Sequence, residues 1–178
     1  MPFPKKTMAE LDRLSPAAFR TAPKAPLSLI LNDIRSANNV GSLFRTADGF
    51  GLRHIYLCGI TATPPHRDIL KTALGATESV SWSYHDNCVE LVGELTVRGT
   101  TVYALEQTHD SQLLRDFTPP PGELAVVVGN EVNGVDQAVL DRCAGAIEIE
   151  QFGTKHSLNV GVAAGVVVWG LRGKLGMK

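Results

Sequence analysis

The chain has 178 residues, 44% of them apolar and 20% charged, with a formal net charge of −1. That is the length of one domain with material for one sizeable core, and it excludes a largely disordered, coiled-coil or collagen-like chain. The near-zero total also lacks the basic excess usual in a nucleic-acid binder. The total hides an asymmetry, however. Residues 1–75 hold ten Lys/Arg against five Asp/Glu, a net of +5, whereas residues 76–178 carry a net of −6. Such a difference points either to an anionic partner on one face or to mutual neutralisation in the fold.

Residues 1–26 contain Pro2, Pro4, Pro16, Pro23 and Pro26 and a net charge of +3. They read as a basic arm, with short helices at Met8–Leu14 and Ala17–Arg20. The arm is either solvated or in contact with an anionic partner. The domain proper runs over 27–178. Leu27–Leu31 is a short continuous apolar run, as expected of a strand buried on both faces. Asn38–Phe50 places Val40, Leu43, Phe44, Ala47 and Phe50 on one helical face. His54–Cys58 is a second strand, and Pro65–Leu74 a helix with Gly75 just past its end. Helix Asn87–Val97, strand Thr101–Leu105, strand Leu124–Val128, helix Val135–Arg142, strand Ala146–Ile149 and helix Ser157–Arg172 complete the series. Strands alternating with helices predict an α/β fold, a mostly parallel sheet flanked by helices.

Cys58, Cys88 and Cys143 form no CxxC pair and read as small buried apolar residues in a reducing compartment. The first twenty residues lack the apolar stretch of a secretory signal. The longest apolar run, Val160–Leu171, is about 12 residues where a membrane span needs about 20. A cytoplasmic protein without membrane contact is expected.

In open α/β sheets ligands sit beyond the carboxyl ends of the strands. Polar residues and glycine concentrate at three such ends: Asn32–Gly41, Gly129–Gly134 and Glu150–Asn159. No GxGxxG follows a strand, so a dinucleotide site is unsupported. Gly129 and Gly134 have the spacing of half a P-loop, but Val135-Asp136 follow in place of Lys-Ser/Thr. The five histidines are scattered, no carboxylate cluster suggests a metal, and no nucleophile elbow occurs.

Three segments carry a more specific pattern: Asn38–Ala47 (NNVGSLFRTA), Val128–Gly134 (VGNEVNG) and Ser157–Gly165 (SLNVGVAAG). In order and spacing they resemble the three motifs of the SpoU (TrmH-type) RNA 2′-O-ribose methyltransferases of the SPOUT class, and the resemblance covers Leu27 to Leu171. It implies a C-terminal deep trefoil knot, a rare exception to the rule against knots. It also implies S-adenosylmethionine as cofactor, tRNA or rRNA as substrate, and a homodimer packed through the knotted region. Asn39, Arg45, Glu131, Ser157 and Asn159 match the family's catalytic positions. Leu105, Gly129, Ile149, Ser157 and Leu158 match its cofactor positions. Two departures are visible: Glu150 stands where proline often follows the last strand, and Gly161 where a small hydroxyl residue is frequent. Glu150 leaves the cofactor loop without proline's fixed φ.

The implied reaction is an in-line attack by a ribose hydroxyl on a sulfonium methyl, which needs no metal. Arginine's pKa of about 12.5–13.8 argues against Arg45 as a literal base. A fork onto a phosphate or the developing alkoxide fits better, with Glu131 holding the guanidinium. Each residue has a plainer alternative. Arg45 could be a surface ion-pair partner, Glu131 a solvated loop acid, and Asn39 or Ser157 helix N-caps. Asn159, read inside an apolar helix, would need partners for its amide. Ala163-Ala164-Gly165 would let another element pack close. Arg53, Arg67 and Lys71 could extend an RNA-facing patch, and Trp82, Tyr84 and Phe152 are candidates for stacking a base. Two rivals remain: a catalytically silent RNA-binding homologue, and a SPOUT enzyme that methylates a base.

Overall fold

The structure, a computed structural model, describes residues 3–7 and 9–175. Seven strands form one sheet: β1 (Ala25–Asn32), β2 (Leu52–Cys58), β3 (Trp82–His85), β4 (Thr101–Leu105), β5 (Gln112–Leu113), β6 (Leu124–Val128) and β7 (Gly145–Glu148). Their order is β3-β2-β1-β6-β4-β7-β5, and every pairing is parallel. The helices are α1 (Pro16–Thr21), α2 (Ala37–Phe50), α3 (Arg67–Ala73), α4 (Ala76–Ser79), α5 (Cys88–Val97), α6 (Gln137–Leu140) and α7 (Val160–Lys174).

Parallel strands need crossovers, and crossovers cover both faces of the sheet. The central strands are therefore apolar throughout. All five residues of β6 are buried. On β1, Leu29 and Leu31 enter the layer with α2 and α7, while Ile30 enters the layer with α5. Burying each such side chain is worth roughly 1.5–3 kcal/mol before chain entropy is charged against it.

Two strands lie outside the elements expected from the sequence. β3 is an edge strand whose residues are all partly exposed, so its pattern is neither continuous nor cleanly alternating. β5 is two residues long. The helix expected at Met8–Leu14 is a 3-10 turn over Ala9–Leu11, and Met8 lies outside the described residues. α1 docks back on the domain, with the Arg20 guanidinium donating to the Glu78 carbonyl. Lys24 donates to the Phe19 and Ala22 carbonyls and lies 3.8 Å from the Phe19 ring centroid. At β2 and β3, Ser83 Oγ meets both His54 Nε2 and His85 Nε2 at 2.9 Å, so two of the scattered histidines share one hydroxyl. Burial first, and His85 second, push His54 down to about 4. Cys58 and Cys88 are buried and Cys143 half-buried; burial, with the Cys88 charge behind it, pushes the Cys143 thiol up to about 12.

α2 and α3 pack backbone to backbone at Gly41. A Cβ there would collide with the Thr72 hydroxyl and the Ile69 carbonyl. Gly41→Ala should therefore destabilise by roughly 1–3 kcal/mol in urea unfolding, although alanine favours an isolated helix; an unchanged or raised midpoint would refute the packing argument.

Candidate active site

The carboxyl ends of β4, β6 and β7 open on a cleft of about 650 Å³, closed on its far side by the start of α7. Leu105, Gly129, Ile149, Ser157 and Leu158 all line it, as do Glu131 and Asn159. Leu105 and Gly129 arrive at strand ends. Gly129 must be glycine, because a Cβ would strike the Gly134 carbonyl group and the Val135 nitrogen. Residues 150–158 form a loop, so Ser157 is not the cap of the last helix. Asn159 takes that place, accepting from Gly161 N at 2.9 Å and Val162 N at 3.3 Å. Nor is Asn159 a buried amide: it is exposed and donates to Asn39 Oδ1 at 3.3 Å.

Glu131 fastens two strand-end loops together. Its carboxylate accepts from Arg35 N at 2.9 Å, Ser36 N at 3.1 Å and Asn39 Nδ2 at 2.9 Å. Burial alone would push the carboxyl up, but the hydrogen bonds from Arg35, Asn39, its own amide and Ser36 outweigh it and hold it below its ordinary 4.5. Among the described residues these are its partners, not the Arg45 guanidinium. Asn39 does not cap α2 either. Ser36 does, its hydroxyl accepting from Asn39 N, which frees the Asn39 side chain to link Glu131 and Asn159.

Arg45 is exposed and lines a second cleft of about 500 Å³ with Ser42, Thr46, Lys71, Thr72 and Leu74. The two clefts are neighbours: a Cβ on Gly161 would lie 3.8 Å from that of Ser42. Arg53 is engaged elsewhere, 2.8 Å from Glu123. Of the three aromatics, Trp82 packs edge-on against Phe44 at 6.4 Å. The Tyr84 hydroxyl donates to the Gly59 carbonyl at 2.9 Å, and Phe152 is 92% exposed in the loop over residues 150–158.

Two residues of the cleft lining, Glu106 and Gln107, lie outside the residues singled out in the sequence. The Gln107 amide donates to the His156 carbonyl at 2.9 Å, tethering the loop. Glu150, at the position where proline is common, pairs with Arg115 at 2.8 Å. Glu106 directly follows the apolar run of β4, which was the one signal for it.

A parallel α/β sheet with a ligand-sized cleft at its strand ends, walled by the first turn of the last helix, defines a class of small-molecule-binding α/β domain. The chain belongs to the SpoU rRNA Methylase family, which matches residues 26–169. It is 31% identical over 143 residues to the 23S rRNA (guanosine-2′-O-)-methyltransferase RlmB of Neisseria meningitidis, covering 80% of this chain and 56% of that one. It is 30% identical over 167 residues to a tRNA (guanosine(18)-2′-O)-methyltransferase of Thermus thermophilus, covering 93% of this chain and 82% of that one. The fold matches the A. aeolicus TrmH/SpoU tRNA modifying enzyme with a TM-score of 0.77 at 23% identity, over 88% of this chain and 78% of that one. The chain spans 56% to 64% of the length of several curated relatives, RlmB among them.

Because the folded state lowers the Glu131 carboxyl, the stability it contributes is complete above 4.5 and is lost as pH falls through the lower folded-state value. Glu131→Ala should flatten that acid limb in a pH series of thermal melts. At neutral pH it should cost about 1 kcal/mol, roughly 2–4 °C, since the group is largely exposed. An unaltered acid limb would show that the carboxylate does not fasten the loops.

Proposed function

We propose that the protein transfers a methyl group from S-adenosylmethionine to a ribose 2′-hydroxyl of tRNA or rRNA, with S-adenosylhomocysteine as the leaving group and the hydroxyl proton released to solvent. The observation that carries this reading is the convergence in one cleft of Leu105, Gly129, Ile149, Ser157 and Leu158, with the Glu131–Asn39–Asn159 network at its rim. The cleft fits the cofactor by volume, and the three carboxylates on its lining, Glu106, Glu131 and Glu148, give it a negative potential suited to a ligand of net positive charge. When bound, the cofactor supplies an electrophilic methyl group. Two of the names among the relatives supply the acceptor class, one an rRNA and one a tRNA guanosine 2′-hydroxyl.

The chain's own residues then have separable tasks. Glu131 fixes the turn before α2. Asn39, held between Glu131 and Asn159, and the Ser157 hydroxyl orient the incoming ribose. Positioning two reactants in line is worth roughly 7–11 kcal/mol by itself. Arg45 and Lys71 face the neighbouring cleft, where an RNA strand reaching the rim would lay its phosphate. The Arg45 guanidinium forks onto the phosphate or the developing alkoxide and lowers its energy.

The proposal includes the deep trefoil knot, a homodimer and a cytoplasmic location. The tie between α7 and the β5 segment supports the first: the Lys174 ammonium donates to the Leu114, Arg115 and Phe117 carbonyls at 2.9, 2.9 and 2.7 Å. The second rests on α7 being apolar on both faces. Val160, Ala164, Val167, Val168 and Leu171 are buried, while Val162 (54%), Val166 (38%) and Trp169 (72%) stand exposed. A helix apolar all round is one that something covers, and Gly165 leaves open space beside this stripe. As for location, no helix among the described residues is long and apolar enough to cross a membrane.

Arg45→Ala should lower kcat for methyl transfer to RNA by roughly 10²–10³ with little change in the calorimetric affinity for S-adenosylmethionine. Transfer at the wild-type rate would overturn the assignment. Mass mapping of tRNA and rRNA nucleosides from cells with and without the protein should show one missing ribose methylation. A missing base methylation, or none, would favour the base-modifying or silent reading. Trp169→Glu should shift sedimentation velocity from dimer to monomer; an unaltered boundary would place the interface elsewhere.

A further inference from the structure

We infer that Glu106, a residue outside the three motifs, binds the ribose diol of the cofactor's adenosine; the inference rests on the cofactor proposed above. Glu106 follows the last residue of β4, and its half-buried side chain lines the cleft. Two backbone amides fix its carboxylate: Val135 N donates to Oε2 at 3.0 Å and Gln107 N to Oε1 at 2.9 Å. The wall opposite Oε2 is Gly134, whose φ of +71° and lack of a side chain leave the carboxylate its place; a Cβ there would collide with Oε2. Each oxygen keeps a further lone-pair direction, so the group presents two acceptors side by side. A vicinal diol offers two donors at matching spacing.

Position along the sheet selects the diol over the sulfonium of the cofactor, and the titrations below separate it from the ammonium. β4 is separated from β1 by β6, which places its end on the order of 10 Å from the β1–α2 turn. The methyl group must face that turn, where Asn39 and Asn159 meet. Glu106 is therefore too far away to pair with the sulfonium. Leu105, Ile149, Leu158 and Ala163 are among the apolar residues of the same lining, which offers a flat purine an apolar wall. The nucleoside end of the cofactor thus lies at β4 and its reacting end at Glu131.

Calorimetric titration of the full chain with S-adenosylmethionine, S-adenosylhomocysteine and methylthioadenosine tests this. Glu106→Gln keeps an acceptor for the Val135 amide, and should weaken all three ligands in parallel by roughly tenfold or more. A loss confined to S-adenosylmethionine would mean sulfonium pairing. A loss that spares methylthioadenosine would mean ammonium pairing. Either result, or no loss, overturns the inference. Should the variant melt well below the wild type, the wild-type chain serves: it should bind methylthioadenosine at least tenfold more tightly than the 2′,3′-dideoxy analogue, and equal affinities overturn the inference. A wild-type chain that binds none of the ligands refutes the proposed function itself, a different result from either failure.

Discussion

The site depends on one carboxylate held by three N–H donors. Glu131 lies in the loop after β6; two of its donors, Arg35 N and Ser36 N, come from the turn between β1 and α2, and the third, Asn39 Nδ2, from the first turn of α2. β1 and β6 are adjacent in the sheet, so their loops emerge side by side, and the pairing needs only a short reach. Around it the constraints are serial. Ser36 caps α2, Asn39 is left free to be held by Glu131, and Asn159, capping α7, donates to Asn39. Two helix starts and one loop are thereby fixed relative to each other before any ligand arrives. That is preorganisation in a literal sense: dipoles and donors are in place, and no reorganisation is charged against the reaction.

Much of this was legible in the sequence because it follows from local chemistry. A buried parallel strand must be apolar on both faces, and Leu124–Val128 could be little else. The match of Leu105, Gly129, Ile149, Ser157 and Leu158 to positions around one cofactor rested on a motif pattern, and the structure gathers all five on one cleft. The errors are instructive. The sequence offers N-capping as the plainer alternative for Asn39 and Ser157 and places Asn159 inside the last helix; the caps are in fact Ser36 and Asn159. Ser, Asn and Asp all favour N-caps, so composition does not say which of several candidates within four residues wins. The winner depends on where the flanking loop enters, a tertiary matter. β3 and β5 were missed because edge and two-residue strands carry little periodic signal. The pairing of Glu131 with the Arg35 and Ser36 amides was invisible for a different reason: backbone donors leave no trace in the side-chain sequence.

The charge asymmetry changes meaning once the side chains are placed. A net of −1 argued against an RNA partner only on the assumption that charge is spread evenly. Several cations of the basic half are occupied within the fold: Arg20 and Lys24 bond main-chain carbonyls, and Arg53 pairs with Glu123 of the acidic half. Of these three only Arg53 is neutralised by an acid, so the neutralisation reading accounts for a small part of the excess. Arg45 and Lys71 are left together at an open cleft. On the acidic side, Glu106, Glu131 and Glu148 line the other cleft. On the proposed function, a polyanion and a cofactor of net charge +1 set opposite electrostatic demands, and no uniform surface satisfies both. Separating the signs between two neighbouring clefts does satisfy both, and it leaves the net charge near zero. On that reading, a total near zero is compatible with two opposed binding tasks on one domain.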